Sequence, residues 1–278
     1  MTKISIIIPA YNADKYIDNC FNSIKKQTFQ DFEVIVINDG SKDHTKEVLE
    51  TYQNDNNLTL TILNQENSGQ AVARNNALKK AAGDYIMFLD IDDTIEPTML
   101  ETMYQEVEKK QADIVWCHLN CIENDKVVEV PLEVYGVEDA KKDFILNNGG
   151  PCAKLIKKSI ILDHKLYFLE HHIYEDIAVV PVYALYASNI VHISNPFYNY
   201  IIYPGSTMHQ QTYHKKLEDI FSSMETLSNH FTDTKYCDEL EFLYIKHLLH
   251  AASLRFWKFK EGKDSLIKIV SIMRKKYP

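Results

Sequence analysis

A chain of 278 residues can build one large domain, or one domain with an appendage. Its hydrophobic fraction of 45% is ordinary for a globular protein, and no apolar run approaches the ~20 residues that span a bilayer. The net charge of −9 is uneven: nine Lys/Arg against two acids from Lys246 onward leave +7 there and −16 elsewhere, an acidic body that argues against nucleic acid as a main partner.

The N-terminus shows no signal-peptide pattern, since its apolar stretch begins only after Lys3 and reads as a strand. Cys20, Cys117, Cys121, Cys152 and Cys237 are odd in number and scattered, which fits a reducing cytoplasm. Cys117 and Cys121 have no second pair downstream and read as buried thiols rather than zinc ligands.

Lys3–Ile8 is a β-branched run closed by Pro9, the pattern of a strand. Asn12 is placed to cap a helix with Ile17, Cys20, Phe21 and Ile24 on one face. Phe32–Ile37 is a second strand, after which Ser41 or Asp43 caps a helix carrying Val48, Leu49 and Tyr52. Leu58–Leu63 alternates as a third strand, and Ser68–Ala82 is an Ala-rich helix with Gly83 just past its end. Tyr85–Leu89 is an apolar run that reads as a buried central strand, and it leads into Asp90, Asp92 and Asp93.

In an extended chain Asp90 and Asp92 share a face while Asp93 points elsewhere. Two carboxylates about 4 Å apart repel by roughly 4 kcal/mol at an effective dielectric near 20. A hard divalent cation removes that repulsion and commonly shares its oxygen ligands with substrate phosphates. The alternative is a solvated acidic turn with a helix-capping Asp.

Pro97 opens a helix with Leu100, Met103 and Val107 inward, and Asp113–His118 is a fifth strand. Beyond it Val127–Val130 reads as a strand and Glu138–Leu146 as a helix. Gly149–Ile161 reads as a loop, a short strand and a helix start. Tyr174–Ala187 reads as a helix with Glu175 and Asp176 at its mouth. Ile190–Ile193 and Phe197–Tyr203 read as two strands, and the pattern is helical from Tyr213. Strands alternating with helices predict a mostly parallel, doubly wound sheet, with ligands bound beyond the carboxyl ends of its strands. Three polar clusters fall at such ends: Ala10–Asn12, Asn38–Ser41 and Asp90–Asp93. Neither a dinucleotide fingerprint nor a P-loop is present.

SIIIPAYN, VIVINDGSKDHT, ENSGQAVARNNAL and YIMFLDIDD, in this order and spacing, resemble a family 2 glycosyltransferase of the GT-A fold. The likeness is strong over Lys3–Leu119 and looser over Gly150–Met208. It implies an α/β fold, Rossmann-like, with a mostly parallel central sheet flanked by helices. Residues 1–210 would be the catalytic domain, its nucleotide-binding half ending at 119 and its acceptor half spanning 120–210. Residues 211–278 would be a C-terminal helical appendage.

The resemblance also assigns roles. Asp39 would accept the N3–H of uracil, with Pro9, Ala10 and Tyr11 packed around base and ribose. Gly69 would let backbone approach the nucleotide, and Arg74 would face it. Asp90 and Ile91 would lie beside the nucleotide, Asp90 on the ribose or a metal-bound water. Asp92 would ligate Mn2+ or Mg2+, with Asp93 structural. Asp176 would be the general base of an inverting transfer from a UDP-sugar donor to a glycan or lipid-linked acceptor. Lys154, Glu175 and Ser206 would contact diphosphate or acceptor, and His209 would be a further metal ligand. The departure is at Ile201–Tyr203, where relatives commonly carry an Arg; Ser206, Thr207 or His209 would share its role. On local grounds alone Asp39 would also serve an Asp-Gly turn, Arg74 an exposed helix face, and Glu175–Asp176 a helix N-terminus.

Two competing readings fare worse. A nucleotidyltransferase needs a Gly-rich phosphate loop that IIIPAYN lacks, and a non-catalytic scaffold is expected to have lost Asp92 or Asp176, which are both present. Leu254–Pro278 mixes aromatic and aliphatic residues with Lys and Arg. It reads as a packed helical appendage with a solvated basic face. An anionic membrane surface or self-association is the alternative use of that face. The implied location is the cytoplasm, either free or peripheral at the inner face of the membrane.

Overall fold

β1 (Ile4–Ala10) and β2 (Phe32–Asp39) are buried at every position but Pro9, which is why neither alternates polar with apolar. They are adjacent inner strands of a sheet that has nine strands among the described residues. The computed structural model describes residues 2–53, 58–124, 126–128, 138–147, 149–203, 212–232 and 234–277. The remaining strands are β3 (Leu60–Gln65), β4 (Tyr85–Phe88), β5 (Thr94–Ile95), β6 (Ile114–Glu123), β7 (Lys126–Val128), β8 (Lys154–Lys157) and β9 (Ile190–Ile202). Their order is β3-β2-β1-β4-β8-β6-β9-β5, with β7 beside β6.

β3, β2, β1 and β4 are parallel, as the alternation of strands and helices predicts. Beyond β4 the sheet is mixed: β8 runs antiparallel to both neighbours, while β6 and β9 are parallel. Parallel neighbours need a crossover, which α1 (Ile17–Lys25), α2 (Thr45–Gln53) and α3 (Gln70–Leu78) supply. Next come α4 (Met99–Lys110), α5 (Ala140–Asn147), α6 (Lys158–Asp163) and α7 (Tyr183–Tyr186). The C-terminal helices are α8 (Asp219–Phe231), α9 (Cys237–Tyr244), α10 (Ser253–Trp257) and α11 (Lys263–Lys276), with a π-helical stretch, Ile245–Ala252, between α9 and α10.

Successive side chains of β1 enter opposite cores. Ile4, Ile6 and Ile8 pack with Phe21, Leu100 and Met103 of α1 and α4. Ile7 joins a second core with Ile35, Phe88 and Ala73 that continues through Met224, Leu248 and Met273. The C-terminal helices therefore share the apolar interior of the sheet. No described helix is long and apolar enough to cross a membrane.

Several local expectations are corrected. Asn12 does not cap α1. It sits at φ 50°, and its Oδ1 accepts the Lys42 N–H at 2.8 Å, joining the loops after β1 and β2. Gly83 is not a helix-ending residue: α3 stops at Leu78, and Gly83 is pressed against β1, with its N–H donating to Ser5 Oγ at 2.8 Å. Tyr174–Ala187 is not one helix but a turn, a 3-10 segment Val180–Val182 containing Pro181, and the short α7. The two strands expected after Ala187 are one, β9, whose pairing with β6 shifts register around His118.

Asp90-Ile91-Asp92 is not extended. β4 ends at Phe88, and the Asp93 N–H closes a turn on the Asp90 carbonyl at 3.0 Å. Asp93 is the structural residue of the three. Buried beneath the turn, its carboxylate accepts the Tyr198 hydroxyl at 2.5 Å and the Ile201 N–H at 2.9 Å, which ties the turn to β9.

A Cβ at Gly83 would lie 2.5 Å from the Ser5 backbone nitrogen, whereas at Gly149 it would meet nothing within 4 Å among the described residues. Gly83→Ala is expected to lose about 1–3 kcal/mol in urea unfolding by overpacking. Gly149→Ala is expected to stay within about 0.5 kcal/mol.

Candidate active site

The parallel strands β1, β2 and β4 deliver three polar groups to one edge of the sheet. Asp39 ends β2 opposite Gln65 in register. Its Oδ1 accepts Gln65 Nε2 at 2.7 Å and the Ser68 N–H at 2.8 Å, and its Oδ2 accepts the Gly69 N–H at 2.8 Å. A carboxylate has about four lone-pair positions, so one remains on Oδ2 for an outside donor. Gly69, at φ 88° with no atom within 4 Å of a Cβ position among the described residues, leaves that side of Asp39 uncrowded. Pro9, buried Ala10 and half-exposed Tyr11 end β1 beside it, where Ala10 pairs with Asn38.

Arg74 projects from α3, yet it is buried rather than on an exposed helix face. Its Nη2 donates to Asp90 Oδ1 and its Nη1 to Glu175 Oε1, both at 2.8 Å. The guanidinium also lies over the Phe168 ring, 5.3 Å from its centroid. Burial opposes the charge, but Asp90 and Glu175 outweigh it and hold the pKa above the usual arginine value. Gln70 Nε2 donates to the same Glu175 oxygen at 2.7 Å. Glu175 is thus fixed inside the protein, with no helix starting at it.

Asp92 differs from its neighbours. Its carboxylate is partly exposed, and no hydrogen bond from another side chain reaches it among the described residues. Burial first, then Asp90, push its pKa up to about 6. Ile91 is buried between the two acids. Asp90 Oδ2 accepts the Cys152 thiol at 3.5 Å. Lys154 is buried, its ammonium donating to the Gly150 and Cys152 carbonyls at 2.7 and 2.9 Å, and burial lowers its pKa to about 8. Lys154 therefore holds the loop that presents Cys152 to Asp90.

Asp176 follows Glu175 in the turn before the 3-10 segment. Its Oδ1 accepts only the adjacent Ile177 N–H, at 2.9 Å, among the described residues. Burial first, then Glu175, push its pKa up to about 7. Asp90, Arg74, Glu175 and Asp176 thus form one continuous set. Ser206 and His209 lie outside the described residues. Gln65, Cys152, Phe168 and Tyr198 escape sequence reasoning, because each meets its carboxylate or guanidinium partner through the fold, and Gln70 lies inside the ENSGQAVARNNAL motif without a role assigned to it.

The family model described as Glycosyl transferase family 2 matches residues 5–181. The chain belongs to glycosyl transferase family 2. Glycosyltransferase GlyG of Streptococcus pneumoniae is 32% identical over 238 residues, covering 79% of this chain and 78% of that protein. The poly(ribitol-phosphate) beta-N-acetylglucosaminyltransferase TarS of Staphylococcus aureus is 31% identical over 177 residues, 61% of this chain but only 30% of that longer protein. A crystal structure of S. aureus TarS 1–349 with UDP superposes with a TM-score of 0.81 at 25% identity, covering 99% of this chain and 81% of that one. The protein is a glycosyltransferase of the GT-A fold, as the four motifs implied.

In this family 2 enzyme the buried Arg74 is the testable element. Arg74→Leu leaves Glu175 and Asp90 without their cation, and breaking a buried pair costs about 3–5 kcal/mol. Urea unfolding at pH 8 is expected to show that loss, and Arg74→Leu/Glu175→Gln to recover part of it.

Proposed function

We propose that this glycosyltransferase moves a sugar from a UDP-sugar to a hydroxyl of a polysaccharide or glycoconjugate acceptor, inverting the anomeric carbon, with Mn2+ or Mg2+ held at Asp92. The observation that carries the proposal is a set of three unlike carboxylates, one at the carboxyl end of β2, one just beyond that of β4 and one next to Glu175 of the Arg74 network. Among the described residues Asp39 keeps one acceptor position open and Asp92 has no side-chain partner, and Asp176 has its pKa pushed up to about 7. The likeness to TarS, solved with UDP and named for an N-acetylglucosaminyl transfer to poly(ribitol-phosphate), supports a nucleotide-sugar donor and a surface-glycan acceptor. Free cysteines fit a reducing cytoplasm.

In this reading the uracil N3–H donates to Asp39, and Tyr11 offers a ring beside the base. The donor set suits a hard cation. Asp92 supplies an oxygen whose charge is disfavoured by burial and by Asp90, and Mg2+-type ions commonly take one or two protein carboxylates and complete their shell from substrate phosphates and water. Such an ion, when bound, neutralises charge on the departing nucleotide. Arg74 fixes Asp90 and Glu175, so the donor side and the base side keep one geometry. Asp176 takes the proton from the acceptor hydroxyl as that oxygen attacks the anomeric carbon opposite the leaving nucleotide.

A base must be ionised to act. With Asp176 pushed up to about 7, kcat/KM is expected to fall about tenfold per pH unit below that value and to level off above it. Asp176→Asn is expected to lower kcat by roughly 10²–10⁴-fold and to flatten this limb, with UDP affinity changed less than about threefold. Full activity in that variant would remove Asp176 from the role.

A further inference from the structure

A second concavity lies among the C-terminal helices and shares no residue with the proposed transfer site. It is a cavity of about 880 Å³ between α8, the π-helical stretch and α11, within the ~300–1,000 Å³ range of small-molecule sites. Its floor is apolar: Phe221, Met224, Tyr244 and Leu248 are all buried there. Its rim carries five exposed lysines, Lys215, Lys216, Lys268, Lys275 and Lys276.

The charges on this rim are unbalanced. None of the five lysines forms an ion pair among the described residues. Three acids also line the cavity, so the lysines exceed them by two: Glu218 accepts the Tyr213 and Ser265 hydroxyls, Asp219 accepts the Ile173 N–H, and Glu225 is exposed. The lysines lean on the floor instead. Lys268 Nζ lies 4.1 Å from the centroid of Phe221, and Lys276 Nζ lies 4.8 Å from that of Tyr244 and donates to Ser228. These are cation–π contacts, which hold the two ammonium groups at the aromatic floor on the mouth of the cavity.

A free anion would satisfy the rim and leave the floor wet, and a neutral chain would do the reverse. We propose that this cavity binds a phosphate-headed hydrocarbon amphiphile, its chain on the Phe221–Met224–Leu248 floor and its phosphate among Lys268, Lys275 and Lys276. The same chemistry is offered by a phospholipid in a bilayer and by a dispersed lipid phosphate. The proposal is independent of the UDP-sugar reading, because neither set of residues contributes to the other.

The test is calorimetric titration of dodecyl phosphate, below its micelle concentration, into the full chain. One-to-one binding is expected, with inorganic phosphate and dodecyl maltoside each at least tenfold weaker. Lys268→Gln/Lys275→Gln should weaken dodecyl phosphate at least tenfold, and Ser222→Trp, which fills the cavity, should do the same. Both variants should keep the wild-type circular dichroism spectrum. Equal binding of the neutral detergent, or wild-type affinity in both variants, would overturn the proposal. Vesicles with and without phosphatidylglycerol separate the sources: retention lost in the lysine variant assigns a bilayer lipid, and no retention beside dodecyl phosphate binding assigns a dispersed one.

Discussion

The buried Arg74 guanidinium between Asp90 and Glu175 is the interaction on which the site depends. Three separate parts of the chain meet at it: α3, the acidic turn after β4, and the turn before the 3-10 segment. Each brings charge that a protein interior rejects unless it is paired. One cation with two hydrogen-bonded carboxylates makes the arrangement tolerable, and the planar fork of arginine spans both partners, as a lysine ammonium would not. The arrangement fixes geometry more than it adds stability, since buried ion pairs seldom improve on apolar packing of similar volume.

The acids left outside this pairing are the ones to which the proposed reading gives the cation and the proton. Asp93 is anchored to Tyr198 and Ile201, Asp90 and Glu175 to Arg74, and Asp39 largely to Gln65, Ser68 and Gly69. Asp92 and Asp176 have no comparable partner among the described residues, and burial works against the charge of both. In the proposed reading, this separation of anchored from unanchored carboxylates lets one site hold binding, cation and proton roles at neutral pH.

The part of this legible in sequence is the part governed by strand burial. β1, β2 and β4 are apolar without alternation, so their ends, and with them Asp39, Asp90 and Asp92, can be located from the pattern. What failed had a local pattern that tertiary structure overrode. The apolar run after Asp176 has helical spacing, but Pro181 supplies no N–H, and the Val179 and Val180 N–H groups turn back to the Asp176 carbonyl. β9 reads as two strands because Pro196 interrupts it, while the structure absorbs the break as a register shift against β6. The contacts of Cys152 with Asp90 and Tyr198 with Asp93 span 62 and 105 positions, with no neighbouring residue to announce them.

The most direct test of the nucleotide and cation roles is calorimetric titration of UDP with Mn2+ present and again with EDTA, in the wild type and in Asp92→Asn. Wild-type protein should bind UDP at least tenfold more tightly with Mn2+, and Asp92→Asn should bind it equally weakly in both buffers. Equal wild-type affinity with and without Mn2+ would contradict Asp92 as the cation ligand, and no UDP binding in either buffer would contradict Asp39 as the base-recognising residue.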